Sequence, residues 1–512
     1  MYRTTPDNQL AFEDFYLPFG GKLRSDNRWV LLARIVPWDI AEEFYEKQFA
    51  QNGQGAPAKP ARVALGALII KERLGVSDEE AVEQICENPY LQYFLGFHEF
   101  RDEAPFDSSM FVHFRHRFNL DQLNQINEAL VRAEQTEANQ DDESSPPEDD
   151  DSDGNASSKN NGKLIVDATC TPADIRYPTD ISLLNEAREK SEQIIDILFE
   201  PLIGRQRKPR TYRRKARCLF LSYSKKRKRP TRQIRKVIGQ QLRFLKRNLS
   251  TIGQLADQTS LTLLDRRQYK NLLVIHELYR QQQWMYENSC HRISGRIVSI
   301  SQPHVRPIVR GKASAPTEFG AKLSASLVNG SVFLDRLDWD PFNESGDLVE
   351  QIKTYKQRFG YYPESVHCDA IYRTRENRRF CKKYDIRMSG PPLGRPPKKT
   401  LENTQELRDK KLQQRQDELD RIPIEGKFGQ SKRRFSLNRV MTKLADTSET
   451  AIAIVFIVMN LEKWLQKLLF AFIWRLQLST KRLLQPLHAF MGRLLLTDRW
   501  PYWCGHAPCA TL

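Results

Sequence analysis

Residues 163–169 read KLIVDAT, a short run of apolar and β-branched residues with one acid, Asp167, inside it. Such a run predicts a buried β-strand. A second run of this kind, SVHCDAI at residues 365–371, contains Asp369. A carboxylate inside a buried strand costs free energy unless it is paired or binds a cation. A salt bridge would explain either acid alone, but two such acids on neighbouring predicted strands favour a metal site.

The sequence around these two strands alternates between strand and helix patterns. Residues 323–337 predict a hairpin about the turn Asn329-Gly330. Further helices are predicted at 347–359, 375–384 and 421–432, and a short strand at 386–389. The order is strand, hairpin, helix, strand, helix, strand, helix, and a helical insertion at about 171–310 interrupts it. This is the strand order of a ribonuclease-H-like mixed sheet, so the predicted fold class is α+β.

Sequence patterns outside this region indicate three further segments: an N-terminal module, a linker and a C-terminal tail. Residues 1–133 predict an all-helical N-terminal module, whose basic helix Met110–Phe118 suits DNA docking; a plain helical bundle is the alternative. Residues 134–162 predict a disordered acidic linker, because they contain almost no apolar residues. The α+β domain is predicted to span 163–465, and a tail at 466–512 has no assigned role.

Charge is distributed unevenly along the chain. The 80 Lys and Arg residues exceed the 64 Asp and Glu residues, giving a net charge of +16. Residues 134–158 hold ten acids and no Lys or Arg, whereas residues 205–247 hold nineteen Lys and Arg and no acid. A dense basic cluster favours a polyanionic partner, most often nucleic acid, over a merely solvated basic surface. The candidate DNA contacts in this cluster are Arg213, Arg214, Lys215, Lys225, Lys226, Arg227, Lys228 and Arg229.

A third acid, Glu425, lies in the last predicted helix. At helical spacing, Arg421, Glu425 and Lys432 share one face. A simple salt bridge between neighbouring turns would explain Arg421 and Glu425. Alternatively, Glu425 joins Asp167 and Asp369 in a site of three hard oxygen ligands, which suits phosphoryl transfer with Mg²⁺. The glycines at 426 and 429 weaken the helix prediction or mark the close approach of DNA or another backbone.

The chain resembles bacterial DDE transposases of the insertion-sequence type, in the broad insertion sequence 5 and insertion sequence 1182 groupings. The resemblance runs from residue 10 to about 465, and the segments that carry it are Leu10–Val30, Pro57–Gly96, Leu164–Thr169, His367–Phe380 and Arg421–Val440. It implies that Asp167, Asp369 and Glu425 form the catalytic, metal-binding triad. It also implies that Arg421 and Lys432 contact DNA, and Lys427, which lies between them, is a further candidate DNA contact. The family signature usually has a tyrosine three residues before that arginine, where this chain has Glu418.

The resemblance implies cleavage and strand transfer at the ends of an insertion sequence. Two Mg²⁺ ions, for which Mn²⁺ can substitute, would serve the reaction. The expected partners are the terminal inverted repeats, target DNA and at least one further copy of the chain in a homodimer or higher synaptic complex. The alternatives are a catalytically inactive DNA-binding regulator derived from a transposase and a non-mobile ribonuclease-H-like nuclease.

Composition also bounds where the protein acts. The mean hydropathy of −0.60 argues against a membrane protein, and the first residues contain no apolar signal core. The eight cysteines have no framework spacing, which is typical of reduced thiols. The sequence therefore predicts a bacterial cytoplasmic protein that is associated with the nucleoid and not with a membrane.

Overall fold

The computed structural model describes residues 14–18, 20–49, 57–142, 160–309, 317–391, 394 and 403–495. Residues up to Asn460 belong to one compact unit. The second unit, Leu461–Leu512, is helical throughout its described part, which ends at residue 495.

The helices and strands that the described residues form fall into three groups along the chain. The first helices are α1 Arg28–Ile35, α2 Trp38–Glu46, α3 Ala61–Leu74, α4 Asp78–Glu87, α5 Pro89–Phe94, α6 Met110–Arg117 and α7 Leu120–Asp142. Strand β1 (Lys163–Pro172) precedes the inserted helices α8 Asp180–Phe199, α9 Arg213–Ser224, α10 Thr231–Ala256 and α11 Arg266–Glu287. The chain continues through β2 Arg306–Val309, β3 Thr317–Val328, β4 Ser331–Asp338, α12 Leu348–Phe359, β5 Ser365–His367, α13 Arg375–Lys383, β6 Arg387–Met388, α14 Thr404–Arg434 and α15 Ala445–Leu495.

The N-terminal helices form where the sequence supplies caps and an apolar face. Helix α3 is buried along nearly its whole length and ends at Gly75, whose φ of 69° suits glycine. Ser77 then begins α4 by accepting a hydrogen bond from the Glu80 N–H at 3.1 Å. The serine hydroxyl thus satisfies one of the free N–H groups at the start of α4.

Helix α6 is built into the protein rather than presented as a free basic surface. Arg115 is buried and forms two hydrogen bonds with Asp78, at 2.5 and 2.9 Å. His116 pairs with Asp446 at 2.5 Å, and the Arg117 guanidinium stacks on Phe49. Most of the positive charge that suggested DNA docking by this helix is thus already in contact with other parts of the chain.

The sheet has the order β2-β3-β1-β5-β6, with β4 also paired to β3. Strand β3 is antiparallel to β1, β2 and β4, whereas β1, β5 and β6 are mutually parallel. The predicted hairpin is confirmed, because Asn329 and Gly330 both adopt positive φ, at 49° and 78°, as a tight hairpin turn requires. The mixed sheet with helices confirms the predicted α+β class. Strand β2 was not predicted.

Helices α7 and α15 both pack on the hairpin strand β4. The buried Asn127 amide donates to the Val332 carbonyl at 3.1 Å. Asn460 accepts a bond from the Val332 N–H at 2.9 Å and donates to Asn127 Oδ1 at 2.8 Å. Helix α7 extends to Asp142, so residues 134–142 are helical where the sequence predicted disordered linker. The rest of that linker up to residue 159 lies outside the described residues.

The insertion packs around its own apolar core, which α8, α10 and α11 share. Leu184, Leu245 and Ile275 lie at its centre and are fully buried. Because α10 is strongly amphipathic, burial of its leucines turns the basic residues of the same helix outward. Between β1 and β2 the described chain is thus helical, with exposed basic residues on α10.

Candidate functional site

The register of the sheet places Asp167 and Asp369 at equivalent positions. In the parallel pair β1 and β5, Ile165 pairs with His367. Each acid follows two residues later, at the carboxyl end of this pairing. Asp167 is still within β1, but Asp369 follows the end of β5 and precedes a short 3₁₀ turn, so the prediction that it lies inside a strand is wrong. Strand β5 ends early, and the Asp369 side chain is half exposed.

Asp167 lies in the more buried environment of the two. Burial raises the pKa of its carboxyl to about 6; the Ala168 N–H, 2.8 Å from Oδ1, opposes this shift, while the Asp369 charge adds to it. Arg421 lowers the pKa and Glu344 raises it further. The carboxyl of Asp167 therefore lies among negative groups in a poorly solvated place, which is the setting that favours a bound cation.

Helix α14 brings the third acid to this edge of the sheet. The Arg421 guanidinium connects two carboxylates: Nη1 is 2.6 Å from Asp369 Oδ1 and Nη2 is 3.0 Å from Glu425 Oε1. Arg421 also lies near enough to Asp167 to lower the pKa of that carboxyl, so the three acids share one neighbouring guanidinium. The structure thus brings together the three acids that the sequence separated by up to 258 positions.

Two acids that sequence analysis did not single out fix the position of α14. Asp417 is buried and binds Arg387 on the edge strand β6. Asp420 binds Lys163 at the start of β1, with 2.7 Å between Nζ and Oδ2. Both acids precede Glu425 on the sheet-facing side of α14. Their spacing of three residues was the available signal, but the surrounding Gln- and Lys-rich sequence concealed it.

A loop after β4 adds a further carboxylate beside the three acids. Glu344 influences the ionisation of both Asp167 and the fully buried Tyr372. The buried Asn377 amide donates to the carbonyls of Ser345 and Tyr372, both at 2.8 Å, and so joins this loop to the turn that follows Asp369. No spacing in the sequence links Glu344 to the acids, because only the folded loop brings it near them.

The predicted DNA contacts on α14 are not all placed alike. Arg421 lies at the three acids, as described above. Lys427 is partly buried, which lowers its pKa, and it lies near Glu134 at the far end of α7. Lys432 is partly exposed in the last turn of α14. The structure therefore does not bring Lys427 together with the acids.

The predicted DNA contacts of the insertion lie on α9 and the loop that follows it. Arg213 binds Asp196 through two hydrogen bonds, at 2.8 and 3.0 Å, and Arg229 donates to main-chain carbonyls at the end of α9. The remaining members are exposed: Arg214, Lys215, Lys225, Lys226, Arg227 and Lys228. The outer face of α10 adds exposed cations outside the predicted set: Arg232, Lys236, Arg243 and Lys246.

The donor set of the three acids fits a divalent cation. Carboxylate oxygens are the ligands that Mg²⁺ prefers, and a cationic group, the Arg421 guanidinium, already lies among them. Within the part of the chain that the structure describes, no three acidic, His or Cys side chains lie close enough together to hold one ion as they stand. The Arg421 guanidinium lies between Asp369 and Glu425 and bonds both.

Comparison with known proteins places the chain in a family. Residues 366–462 match the family described as transposase DDE domain, and this segment includes Asp369, Arg421 and Glu425. Residues 18–117, which include α1 to α6, match the family described as transposase domain DUF772. A protein described as uncharacterized protein ORF8 in the nfe locus of Rhizobium meliloti is 33% identical over 158 residues, which are 31% of this chain and 68% of that protein. No solved structure matches.

The family matches identify a transposase-type protein of mixed helix and sheet, whose family is generally dependent on divalent metal and binds DNA. The chain belongs to the insertion-sequence family of DDE transposases. No helix within the described ranges is both long enough and apolar enough to cross a membrane.

Proposed function

We propose that this transposase cleaves DNA at the ends of an insertion sequence and joins those ends to target DNA. The observation that carries the proposal is the convergence of Asp167, Asp369 and Glu425 around Arg421. Three carboxylates at one edge of a sheet form an acidic centre that repels DNA unless a cation offsets their charge. The proposed activity explains why this strongly basic chain concentrates acids at one point.

The three acids have distinct proposed roles. Asp167 and Asp369, at equivalent positions two residues beyond a paired register, would hold the cations, and Glu425 would complete the site from the helix side. Bound divalent cations, two in the proposed mechanism, would supply positive charge to the attacking and leaving oxygens of an in-line displacement. Arg387 and Lys163 keep Glu425 in place through their contacts with α14.

The proposed reaction has two parts. Hydrolysis of a phosphodiester at the element end exposes a 3′-hydroxyl. That hydroxyl then attacks a phosphodiester of target DNA, forming one P–O bond as another breaks, so the joining needs no external energy. The negative phosphates of both DNA molecules must approach the acids together. Basic side chains at the rim of the site assist this approach by offsetting the phosphate charge.

The topology supports a ribonuclease-H-like assignment for the sheet. The spatial strand order β4-β3-β1-β5-β6, with β3 antiparallel and β1, β5 and β6 parallel, supports this assignment, for which the sequence supplied only the order of elements along the chain. The α+β domain is proposed to begin at residue 163 and to end near 465, with the helical N-terminal module as a recognition or subunit-contact region. A homodimer or larger synaptic complex is proposed because two element ends must be held together.

The basic insertion is proposed to hold the DNA backbone. Its exposed cations lie on α9, on the loop at residues 225–228 and on the outer face of α10. Contacts of this kind are independent of base sequence and strongly dependent on salt, because each contact with a phosphate releases counterions.

The deciding experiment compares wild type with Asp369→Asn on a duplex that carries the sequence flanking the gene. The substitution keeps the shape of the side chain and removes its charge. We expect joining of the duplex to a target plasmid in Mg²⁺, at least about 100-fold reduced in the variant, with unchanged DNA affinity. The control Asp409→Asn changes an exposed acid of α14 two turns before Asp417 and should leave joining intact.

The outcomes separate the three functions. Joining that is lost in Asp369→Asn supports the transposase. Cutting by wild type without joining would show a nuclease instead. DNA binding by both proteins with neither cutting nor joining would show a DNA-binding regulator, and would overturn the proposed catalysis.

A further inference from the structure

Arg421 occupies the middle of the acidic centre. Its two terminal nitrogens bind different carboxylates, Asp369 at 2.6 Å and Glu425 at 3.0 Å. A guanidinium presents its N–H groups in a rigid planar fork, so one side chain can satisfy both acids at once. The protein thus supplies its own cation to a cluster that would otherwise carry uncompensated negative charge.

The guanidinium and a divalent cation compete for the same two carboxylates, because both are positive and both draw on the same negative charge. Asp369 Oδ1 and Glu425 Oε1 each accept a charge-assisted hydrogen bond from Arg421. A divalent cation takes these oxygens as direct ligands and would repel a positive group placed a few ångströms away. The spacing of the acids in the described residues, too wide to hold one ion as they stand, fits a site that the guanidinium keeps apart.

We propose that Arg421 is an internal counter-ion which divalent cations displace, and that its release makes it available to DNA. The inference rests on the proposed function, since it assigns a second state to the same site. Before a cation binds, Arg421 bridges Asp369 and Glu425 and neutralises part of their charge. When a cation binds these acids, the guanidinium moves to the rim of the site and contacts a phosphate of the DNA backbone.

The position of Arg421 allows this movement without a change in the main chain. The side chain is 28% exposed, so it already reaches solvent at the edge of the site. It leaves α14 four residues before Glu425, and the neighbouring Ile422 and Gly426 are exposed. A rotation about side-chain bonds therefore suffices to carry the guanidinium from the carboxylates towards solvent.

Displacement couples two binding events. Cation binding must break the contacts of Arg421 with the acids, which weakens the cation affinity of the free protein. Once released, the guanidinium adds a phosphate contact, so cation and DNA each raise the affinity for the other by the same factor. Arg421 would therefore stay bound to the carboxylates until DNA is present.

The first test measures cation binding by the full-length protein without DNA. Mn²⁺ titrations followed by electron paramagnetic resonance compare wild type with Arg421→Ala and with Arg421→Gln, which keeps a polar side chain. We expect both variants to bind Mn²⁺ about tenfold more tightly than wild type. The matched control is Arg415→Ala, which removes an exposed arginine from the same helix away from the acids and should bind as wild type does.

A second readout uses the same proteins with DNA. For a duplex carrying the flanking sequence, wild type should gain about tenfold in affinity when Ca²⁺ replaces EDTA. Arg421→Gln should lose most of this gain, while Arg415→Ala keeps it. Melting temperatures provide a further test of the displacement. In EDTA, Arg421→Gln should melt at a lower temperature than wild type, and addition of Mn²⁺ should restore its melting temperature.

The inference is overturned if both Arg421→Ala and Arg421→Gln bind Mn²⁺ no more tightly than wild type does, while Arg415→Ala binds it as wild type does. Asp369→Asn distinguishes this result from a failure of the proposed function. If wild type binds Mn²⁺ no more tightly than Asp369→Asn, the acids hold no cation and both proposals fail. If Asp369→Asn loses binding while the Arg421 variants match wild type, the site is real and only the displacement is wrong.

Discussion

Arg387 binds Asp417 through both carboxylate oxygens, at 2.8 and 3.0 Å. This contact joins the edge strand β6 to the middle of α14, two turns before Glu425. The placement of the third acid therefore depends on an ion pair outside the acidic centre.

Replacement of Asp417 by Asn should lower stability and joining together. Burial alone would raise the pKa of the Asp417 carboxyl, but hydrogen bonds from Arg387 and Gln413 hold it below its ordinary value. We expect a loss of about 1–2 kcal/mol in the free energy of unfolding, and a larger loss of joining than of DNA affinity. Urea unfolding and a joining assay measure the two effects.

The pH dependence of this effect has a defined sign. Since the pKa of Asp417 is lower in the folded chain than in the unfolded chain, its contribution to stability is present at neutral pH. It disappears as the pH falls below about 4, through the folded pKa. The difference in stability between wild type and Asp417→Asn should shrink there; a difference that stays constant down to pH 3 would contradict this explanation. Glu406→Gln, in an exposed pair with Lys410, should leave stability nearly unchanged, because solvent and salt screen the pair.

Asn460→Ala should destabilise the protein through the hairpin strand. The Asn460 amide bonds both the N–H and the carbonyl of Val332, and also Asn127, in a buried place. Alanine leaves these main-chain groups without that partner, at a cost of about 2–3 kcal/mol in unfolding free energy. Thermal melting compares it with Asn288→Ala, at an exposed helix end, which should change little. Equal effects of the two substitutions would refute this role of Asn460.

Gly426→Ala should raise stability and impair DNA joining. A methyl group added at Gly426 meets no atom of the protein within 4 Å, so α14 gains helix propensity of about 1 kcal/mol. The open space beside Glu425 is where the proposed DNA backbone must approach. The control is Gly253→Ala, at an equally open position in α10, which should stabilise by a similar amount without affecting joining. Full joining by Gly426→Ala would show that DNA does not approach this face.

Removal of exposed cations after α9 should reduce the salt dependence of DNA binding. Lys226→Gln removes a charge that faces solvent, whereas Arg213→Gln removes one that is bound to Asp196. Each lost phosphate contact lowers the slope of log affinity against log salt concentration by about 1. We therefore expect a smaller slope for Lys226→Gln and a smaller change for Arg213→Gln. A larger change in slope for Arg213→Gln than for Lys226→Gln would place the DNA on the other side of α9.

Local patterns in the sequence predicted much of this fold because short-range forces act on neighbouring residues. The turn at Asn329-Gly330 forms because these residue types tolerate positive φ, and Ser77 begins α4 because its side chain accepts the free N–H groups of the first turn. Where the prediction failed, longer-range packing decided. Residues 134–142 are acidic and polar, yet they continue α7, which packs on β4 through Asn127.

Some features of the candidate site could likewise be predicted from local sequence, whereas others depend on tertiary contacts. The sequence by itself determined which residues are acidic, that Asp167 lies on a strand, and that Arg421 precedes Glu425 by one helical turn. Only the tertiary structure decided that these acids meet around one guanidinium, that Lys427 lies away from them near Glu134, and that Asp417 fixes the helix. The physical reason is that strand register and helix docking depend on contacts between residues far apart in the chain, which no local pattern encodes.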